Sequence, residues 1–237
     1  SGDVAMQEED GSQQASLSGP LAWGTIALAL VLGIGLFFLL PTLLISLLDR
    51  AISSNLLSIL AEGLVRLGIF VGYLALVGLM PDIRRVFGYH GAEHKTINAY
   101  EHGAPLTPQS VAAYPRAHTR CGTGFLLIVL VIFVLVSLVI GRPPFWLRLL
   151  SRLVLVPVVA GISYEVLKLT ARYYERSALV RILVAPNLAL QRLTTREPDE
   201  AMLEVAIRAL QEILASEGLA DQSAAEPVTP ADAPAAS

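Results

Sequence analysis

Three of the chain's four histidines lie in "FGYHGAEHKTINAYEHG", Phe87 to Gly103, and the fourth, His118, is followed three residues later by the only cysteine, Cys121. Imidazole nitrogen and thiolate sulfur are the ligands that zinc accepts most readily. On a helix His90 and His94 would share a face one turn apart. That separation lets two imidazoles hold one ion at about 2.0–2.1 Å. Glu93, three residues from His90, would be close enough to take a proton from a water there, which is general-base work. In "HTRCG", His118 and Cys121 are spaced to share an ion as well. The gathering of every imidazole and the one thiol between residues 90 and 121 is a stronger signal than any one residue. His102 is its weakest member, because "EHG" at a helix end is ordinary C-terminal chemistry.

The spelling His-x-x-Glu-His also marks the inverted zinc peptidases, which take a glutamate ligand from well downstream. Here Glu165, in "GISYEVLK", stands 71 residues after His94. A carboxylate inside a membrane span is costly unless coordinated or paired, so Glu165 is either a ligand or an ion-pair partner of Lys168 or Arg172. The expected ligands of a divalent ion of the zinc type are therefore His90, His94, His118, Cys121 and Glu165, with Glu93 as catalytic base. Ligand count separates two functions. A closed Cys-His₃ set would be structural, whereas three protein ligands would leave a position open for chemistry.

The elements that must carry these residues are apolar. The 237 residues are 54% hydrophobic and 16% charged, against about 25% charged in an ordinary soluble domain, and the mean hydropathy is +0.61. Stretches near 20 residues with almost no charge cross about 30 Å of hydrocarbon as helices. Four occur: Leu21 to Leu48, Leu56 to Met80, Gly122 to Ile140 and Phe145 to Lys168. The expected fold is all-α: a polytopic membrane protein with four transmembrane helices, a helical cytoplasmic loop and a C-terminal cytoplasmic amphipathic helix.

Lys and Arg are retained on the cytoplasmic side. The central loop carries Arg84, Arg85, Lys95, Arg116 and Arg120, and many more arginines follow Lys168. The histidine loop and both termini are thus expected at the cytoplasmic face of the cell membrane. The lipid bilayer is the first partner, and a net charge of −3 gives no reason to expect nucleic acid. One cysteine excludes an internal disulfide. The acidic start lacks the basic n-region of a signal peptide, and beginning at Ser1 suggests a processed or truncated chain.

Residues 1–19 read as a flexible lead and 20–80 as a transmembrane hairpin. The loop 81–121 has helical potential at both ends, Thr107 capping a helix whose first residue is Pro108. A second hairpin covers 122–170, with Pro157 and Gly161 expected to bend it and tip Glu165 towards the loop. Residues 171–215 read as an interfacial segment and a helix opened by Pro198, with Met202, Val205, Ala209 and Ile213 on one face. The tail 216–237 has nothing to bury and is expected to be disordered. Glu62 and Arg66, four apart on the second span, read as a local helix pair. Uniformly apolar first and third spans argue against a transporter, which needs polar groups at the midplane.

Four long motifs, "YHGAEHKTINAYE", "HTRCGTGFLL", "RLVLVPVVAGISYEVLKL" and "LALQRLTTREPDEAMLEVAIRAL", resemble the YqhQ-like family of bacterial membrane proteins, a domain of unknown function described as predicted metal-dependent enzymes. The resemblance covers about residues 20 to 214. It implies a polytopic membrane protein with a metal site, and supplies no substrate. The motif positions it carries over are His90, Glu93, His94, Lys95, Glu101, His118, Arg120, Cys121, Gly122, Tyr164, Glu165, Thr194, Thr195, Glu197, Pro198 and Asp199. Members usually have a glycine-rich segment of the type "GGQAVMEGVMMRG" and a small polar domain before the first span. Nothing of that type precedes Leu21. If that part helps form the site, the resemblance implies that this chain is incomplete, with a missing N-terminal fragment, or that its protein partner is a separate chain; the accessory-subunit reading would set it within a larger membrane complex. The two readings carried forward are a hydrolase-like metalloenzyme and a non-catalytic accessory or assembly subunit with a structural metal.

Overall fold

The computed structural model describes residues 20–48, 52, 54–141 and 143–219. The expected flexible lead 1–19, residues 220–237 of the expected disordered tail, and Arg50 and Arg142 lie outside the described residues. Every regular element among the described residues is helical. They run α1 (Pro20–Ile34), a π-helical turn (Gly35–Leu39), α2 (Leu40–Leu48), α3 (Asn55–Val77), α4 (Pro81–Glu101), α5 (Pro108–Ala112), α6 (Gly122–Ile140), α7 (Phe145–Tyr173), α8 (Ala178–Thr194) and α9 (Glu200–Ser216).

Four stretches are long and apolar enough to cross a membrane: Ala22–Leu48, Asn55–Val77, Gly122–Ile140 and Val154–Tyr173. Large aliphatic side chains stand exposed along them, Val139 at 89% and Leu47 at 78%. In water this would be prohibitive; against acyl chains it costs nothing.

The elements start where local chemistry tells them to. Ser54, Thr107 and Ser177 each sit at a helix N-cap, their side chains accepting from the N–H groups of Leu57, Ser110 and Val180. Pro81 and Pro108 occupy first-turn positions, where a missing N–H is harmless. Pro198 does not open α9 as expected. Asp199 is the N-cap, its carboxylate accepting from Met202 N–H at 2.9 Å, so the helix starts two residues further on, at Glu200. Its packed face also differs. Leu203, Ile207 and Leu214 are buried, while Val205 and Ile213 are more than half exposed. The true stripe, 203, 207, 210 and 214, follows the 3.6-residue period along the side facing α4.

Two assemblies result. In the apolar bundle α6 packs on α7 and α3, and α3 on α2. Beside it, α4 packs most extensively on α9, with α5 against both. Ala92, Ala99, Leu106, Val111, Leu203 and Ile207 form the buried core of this cap. Two glycines permit the close approach: a Cβ at Gly91 would fall 2.2 Å from the Arg196 carbonyl oxygen, and one at Gly88 2.7 Å from the Met202 sulfur. Helix α8 ties cap to bundle, packing on α6, α3 and α7 through Val184, Asn187, Leu190, Gln191 and Thr194.

Glu62 and Arg66 are more than a local helix pair. Their 2.7 Å ion pair is buried, at 6% and 2% side-chain exposure, and joins three elements. Thr42 Oγ1 donates to Glu62 Oε1 at 3.1 Å, and Arg66 Nε donates to the Phe37 carbonyl in the π-helical turn at 2.9 Å. The guanidinium also lies over the Phe133 ring of α6, 4.8 Å from its centroid. Removing one charge strands the other in a low dielectric. Glu62→Leu or Arg66→Leu alone is expected to destabilise the bundle by about 3–5 kcal/mol, and the double variant by clearly less. Thermal unfolding in detergent measures this; equal effects of single and double variants would refute it.

Candidate metal centre

Helix α4 brings His90 and His94 to one face, with ring centroids 4.3 Å apart. Cys121 reaches them from the other side as the N-cap residue of α6. Its Sγ is 3.4 Å from His90 Nε2. The ligand atoms of His90, His94 and Cys121 all lie within 4.8 Å of one another, and His94 and Cys121 are buried. This group could hold a metal ion.

The hydrogen bonds fix which atoms face inward. His90 Nδ1 is 2.8 Å from the Thr194 carbonyl, and His94 Nδ1 bonds to the Arg116 carbonyl. A carbonyl can only accept, so each Nδ1 carries the hydrogen and each neutral ring presents its Nε2 lone pair. That second contact is the habit of metal-ligating histidines, which donate their other N–H to a carbonyl or carboxylate. The spacing fits too. Bonds of about 2.0–2.1 Å to nitrogen and 2.3 Å to sulfur at a tetrahedral angle would set the two donors about 3.5 Å apart, close to the observed 3.4 Å.

The sulfur is poised as a thiolate. Burial by itself would push the Cys121 thiol up. Hydrogen bonds with His90 and His94, the charge of His94 and the Gly124 N–H outweigh burial and bring it down to about 5. His90 moves the opposite way, raised chiefly by its bond to Cys121, opposed by burial, and helped by the Thr194 carbonyl and by the charges of Cys121 and Glu93.

Two nearby chains are clamped to keep this arrangement. Thr194 is the last residue of α8 and Thr195 is extended, so the Thr194 carbonyl is one of the orphans every helix leaves at its C-terminus. His90 uses it. The segment leading to Cys121 is held from both sides. The Gln191 side chain accepts from His118 N–H at 2.9 Å and donates to the His118 carbonyl at 2.8 Å. From α4, Asn98 Nδ2 donates to the Pro115 and Ala117 carbonyls, and Lys95 Nζ to the Ala112 carbonyl. Glu197 bridges Lys95 at 2.7 Å and Arg116 at 3.1 Å, and Arg196 N–H donates to the Phe87 carbonyl at 2.8 Å.

The other expected site residues sit differently. His118 is buried, its ring centroid 5.8 Å from that of His94. Both its nitrogens are engaged: Nε2 with Glu101 Oε2 at 3.2 Å, and Nδ1 accepting from Arg120 N–H at 3.4 Å. Glu101 also takes Arg120 at 2.7 Å. Glu93 is exposed on α4, and Glu165 is exposed on α7 and outside the three-residue group. Gln191, Asn98 and Arg116 were not among the expected site residues. Gln191 and Asn98 are polar side chains on the buried faces of α8 and α4, and Arg116, in the irregular segment between α5 and α6, carries no such signal.

Asn187, one turn before Gln191, is buried with its Oδ1 lacking a hydrogen-bond partner among the described residues. It rests on Gly124 so closely that a Cβ there would fall 1.8 Å from Oδ1.

Two measurements follow from this geometry. The thiolate absorbance of metal-free protein is expected to titrate near the Cys121 value of about 5, and a His90→Ala/His94→Ala variant to move it up towards the ordinary thiol range of about 8.5. Gln191→Leu, which releases the His118 backbone, is expected to weaken metal affinity by roughly 10–100-fold, as loss of an outer support commonly does. Unchanged affinity in a competition titration would contradict the clamp.

The family described as "Protein of unknown function (DUF1385)" matches residues 1–216. The chain is 42% identical over 187 residues to the uncharacterized protein YqhQ of Bacillus subtilis (strain 168), which covers 79% of this chain and 58% of the relative. It thus spans less than two thirds of that relative's length. No solved structure matches. With the family match running over nearly the whole chain, this protein belongs to the DUF1385 family.

Proposed function

We propose that this chain is the membrane-embedded part of a zinc-type metalloenzyme of hydrolase-like chemistry, with its centre at the cytoplasmic membrane face. The observation that carries the reading is the pair of histidines whose Nδ1–H groups are spent on backbone carbonyls, both Nε2 atoms being left towards the Cys121 sulfur. His90, His94 and Cys121 would hold the ion. Three protein ligands leave a tetrahedral site one position short, the pattern of catalytic and not of structural zinc. A zinc-type ion there would supply Lewis acidity, polarising an oxygen of the substrate and making hydrolysis feasible near neutral pH.

The chain's own groups do the rest. Glu93, exposed one turn from His90, is the proposed proton acceptor. Its carboxylate is reachable by a substrate, and its charge already acts on His90. The Glu101–His118 pair stands next to His94. Glu165 is exposed on α7 and outside the three-residue group, and no ligand role is proposed for it. The accessory-subunit reading keeps one supporting observation: His118, 5.8 Å from His94 by ring centroid, would close the set if its contact with Glu101 were given up.

Metal analysis of detergent-purified protein tests both. About one zinc or similar ion per chain is expected, lost in His90→Ala/His94→Ala and sharply reduced in Cys121→Ser. Because ligands must shed protons to bind, affinity is expected to fall as pH is lowered towards the Cys121 value of about 5. Metal-free wild-type protein would end the enzyme reading. If His118→Ala loses the metal as completely as His94→Ala, the centre is closed and structural.

A further inference from the structure

The depth of the centre follows from the length of α6. Its 19 residues, Gly122–Ile140, rise about 28 Å, which is nearly the whole of a hydrocarbon core of about 30 Å. The helix has no slack, so its first turn must lie where hydrocarbon meets headgroups. Cys121 is the residue immediately before it. The sulfur of the centre is therefore held at headgroup depth, not out in solvent.

Helix α8 supports the same depth independently. It carries the Thr194 carbonyl that fixes His90 and lies against the first turn of α6 through Asn187 and Gly124. Its outward flank presents Leu179, Ile182 and Leu183 at 66–69% exposure. Such a flank, one turn of chain from the end of the α7 span at Tyr173, belongs against acyl chains. Beside Cys121 stands one exposed arginine, Arg120. The Arg120 side chain is 63% exposed and already grips a carboxylate, Glu101 Oε1, at 2.7 Å. An arginine presented this way binds planar or tetrahedral oxyanions through several N–H groups at once.

We propose that the ligand of this centre is the anionic, phosphate-bearing headgroup of a membrane lipid, engaged by Arg120 while its acyl chains lie along the apolar flank of α8. The inference rests on the metal reading above and names the substrate class for it. A water-borne substrate has no need of a centre sunk to the hydrocarbon boundary; a group tethered to a lipid is delivered there.

Cobalt(II) as a spectroscopic stand-in for the metal tests this without requiring turnover. Cobalt-loaded full chain in neutral detergent is titrated with dioctanoyl phosphatidylglycerol, dioctanoyl phosphatidylcholine and inorganic phosphate, and the ligand-field and sulfur-to-cobalt bands are followed. Phosphatidylglycerol is expected to perturb the bands at about one tenth the concentration needed by the other two. Arg120→Ala should raise that concentration roughly fivefold, the usual worth of one basic residue at an anionic lipid surface, and Arg120→Lys should retain most of the response. Inorganic phosphate acting as well as the lipid would reassign the site to a free anion, and an equal response to phosphatidylcholine would remove the headgroup selectivity. Either overturns the proposal, as does silence towards all three. A chain that shows no sulfur-to-cobalt band fails earlier, at the metal reading itself, and takes this inference with it.

Discussion

The carbonyl oxygens of Thr194 and Arg116 hold the Nδ1–H groups of His90 and His94, and the chemistry open to this protein follows from the nitrogens they leave over. An imidazole in solution exchanges its proton between two nitrogens and turns freely about its side-chain bonds. Here each ring is oriented, its tautomer is chosen, and its lone pair is aimed at a thiol that the same rings help to ionise. The arrangement asks little of α4, which merely supplies two histidines one turn apart. It asks a good deal of what surrounds α4, because a carbonyl is a useful acceptor only where its backbone is immobile.

Much of the tertiary structure can be understood as immobilising those two carbonyls. The Thr194 oxygen is free because α8 ends there, and it is fixed because α8 is packed on α6 and α3. The Arg116 oxygen sits in an irregular segment that would otherwise move. Asn98, Lys95 and Gln191 bond its neighbours' backbone groups from two helices, and Glu197 draws Arg116 towards Lys95. Gly91 lets the α8–α9 connection press directly on α4, where any side chain would collide with the Arg196 carbonyl. These bonds would be modest individually in water. They are worth more here because they are shielded, and a buried group left unpaired would be costly.

The bundle contains a second polar assembly of a different kind. Glu62, Arg66 and Thr42 satisfy one another among apolar helices, with the Phe37 carbonyl and the Phe133 ring completing the guanidinium's surroundings. Lipid-facing helices have little hydrophobic reason to prefer one partner over another, so an interaction that demands one geometry can set which faces meet. The bundle is thereby registered on the α2–α3–α6 side, and α6 then delivers Cys121 to the cap.

The local features were legible in the sequence because local rules generate them. Apolar runs gave the four spans, Thr107 followed by Pro108 gave the cap of α5, and an i, i+4 spacing put His90 and His94 on one face. The composition that collects every imidazole and the only thiol between residues 90 and 121 was likewise plain. The packed face of α9 was misjudged by about one position, because periodicity alone cannot say which of two neighbouring stripes meets α4. Glu165 looked like a ligand by spacing along the chain, yet α7 leaves it exposed. The supports of the centre join residues 104 positions apart in the His90–Thr194 bond and 73 apart in the Gln191–His118 clamp. No periodicity links such positions. The sequence by itself therefore determined the helices, their apolar surfaces and the donor types. Only the tertiary structure decided which donors converge, since hydrogen bonds to particular backbone carbonyls exist only after distant helices have packed.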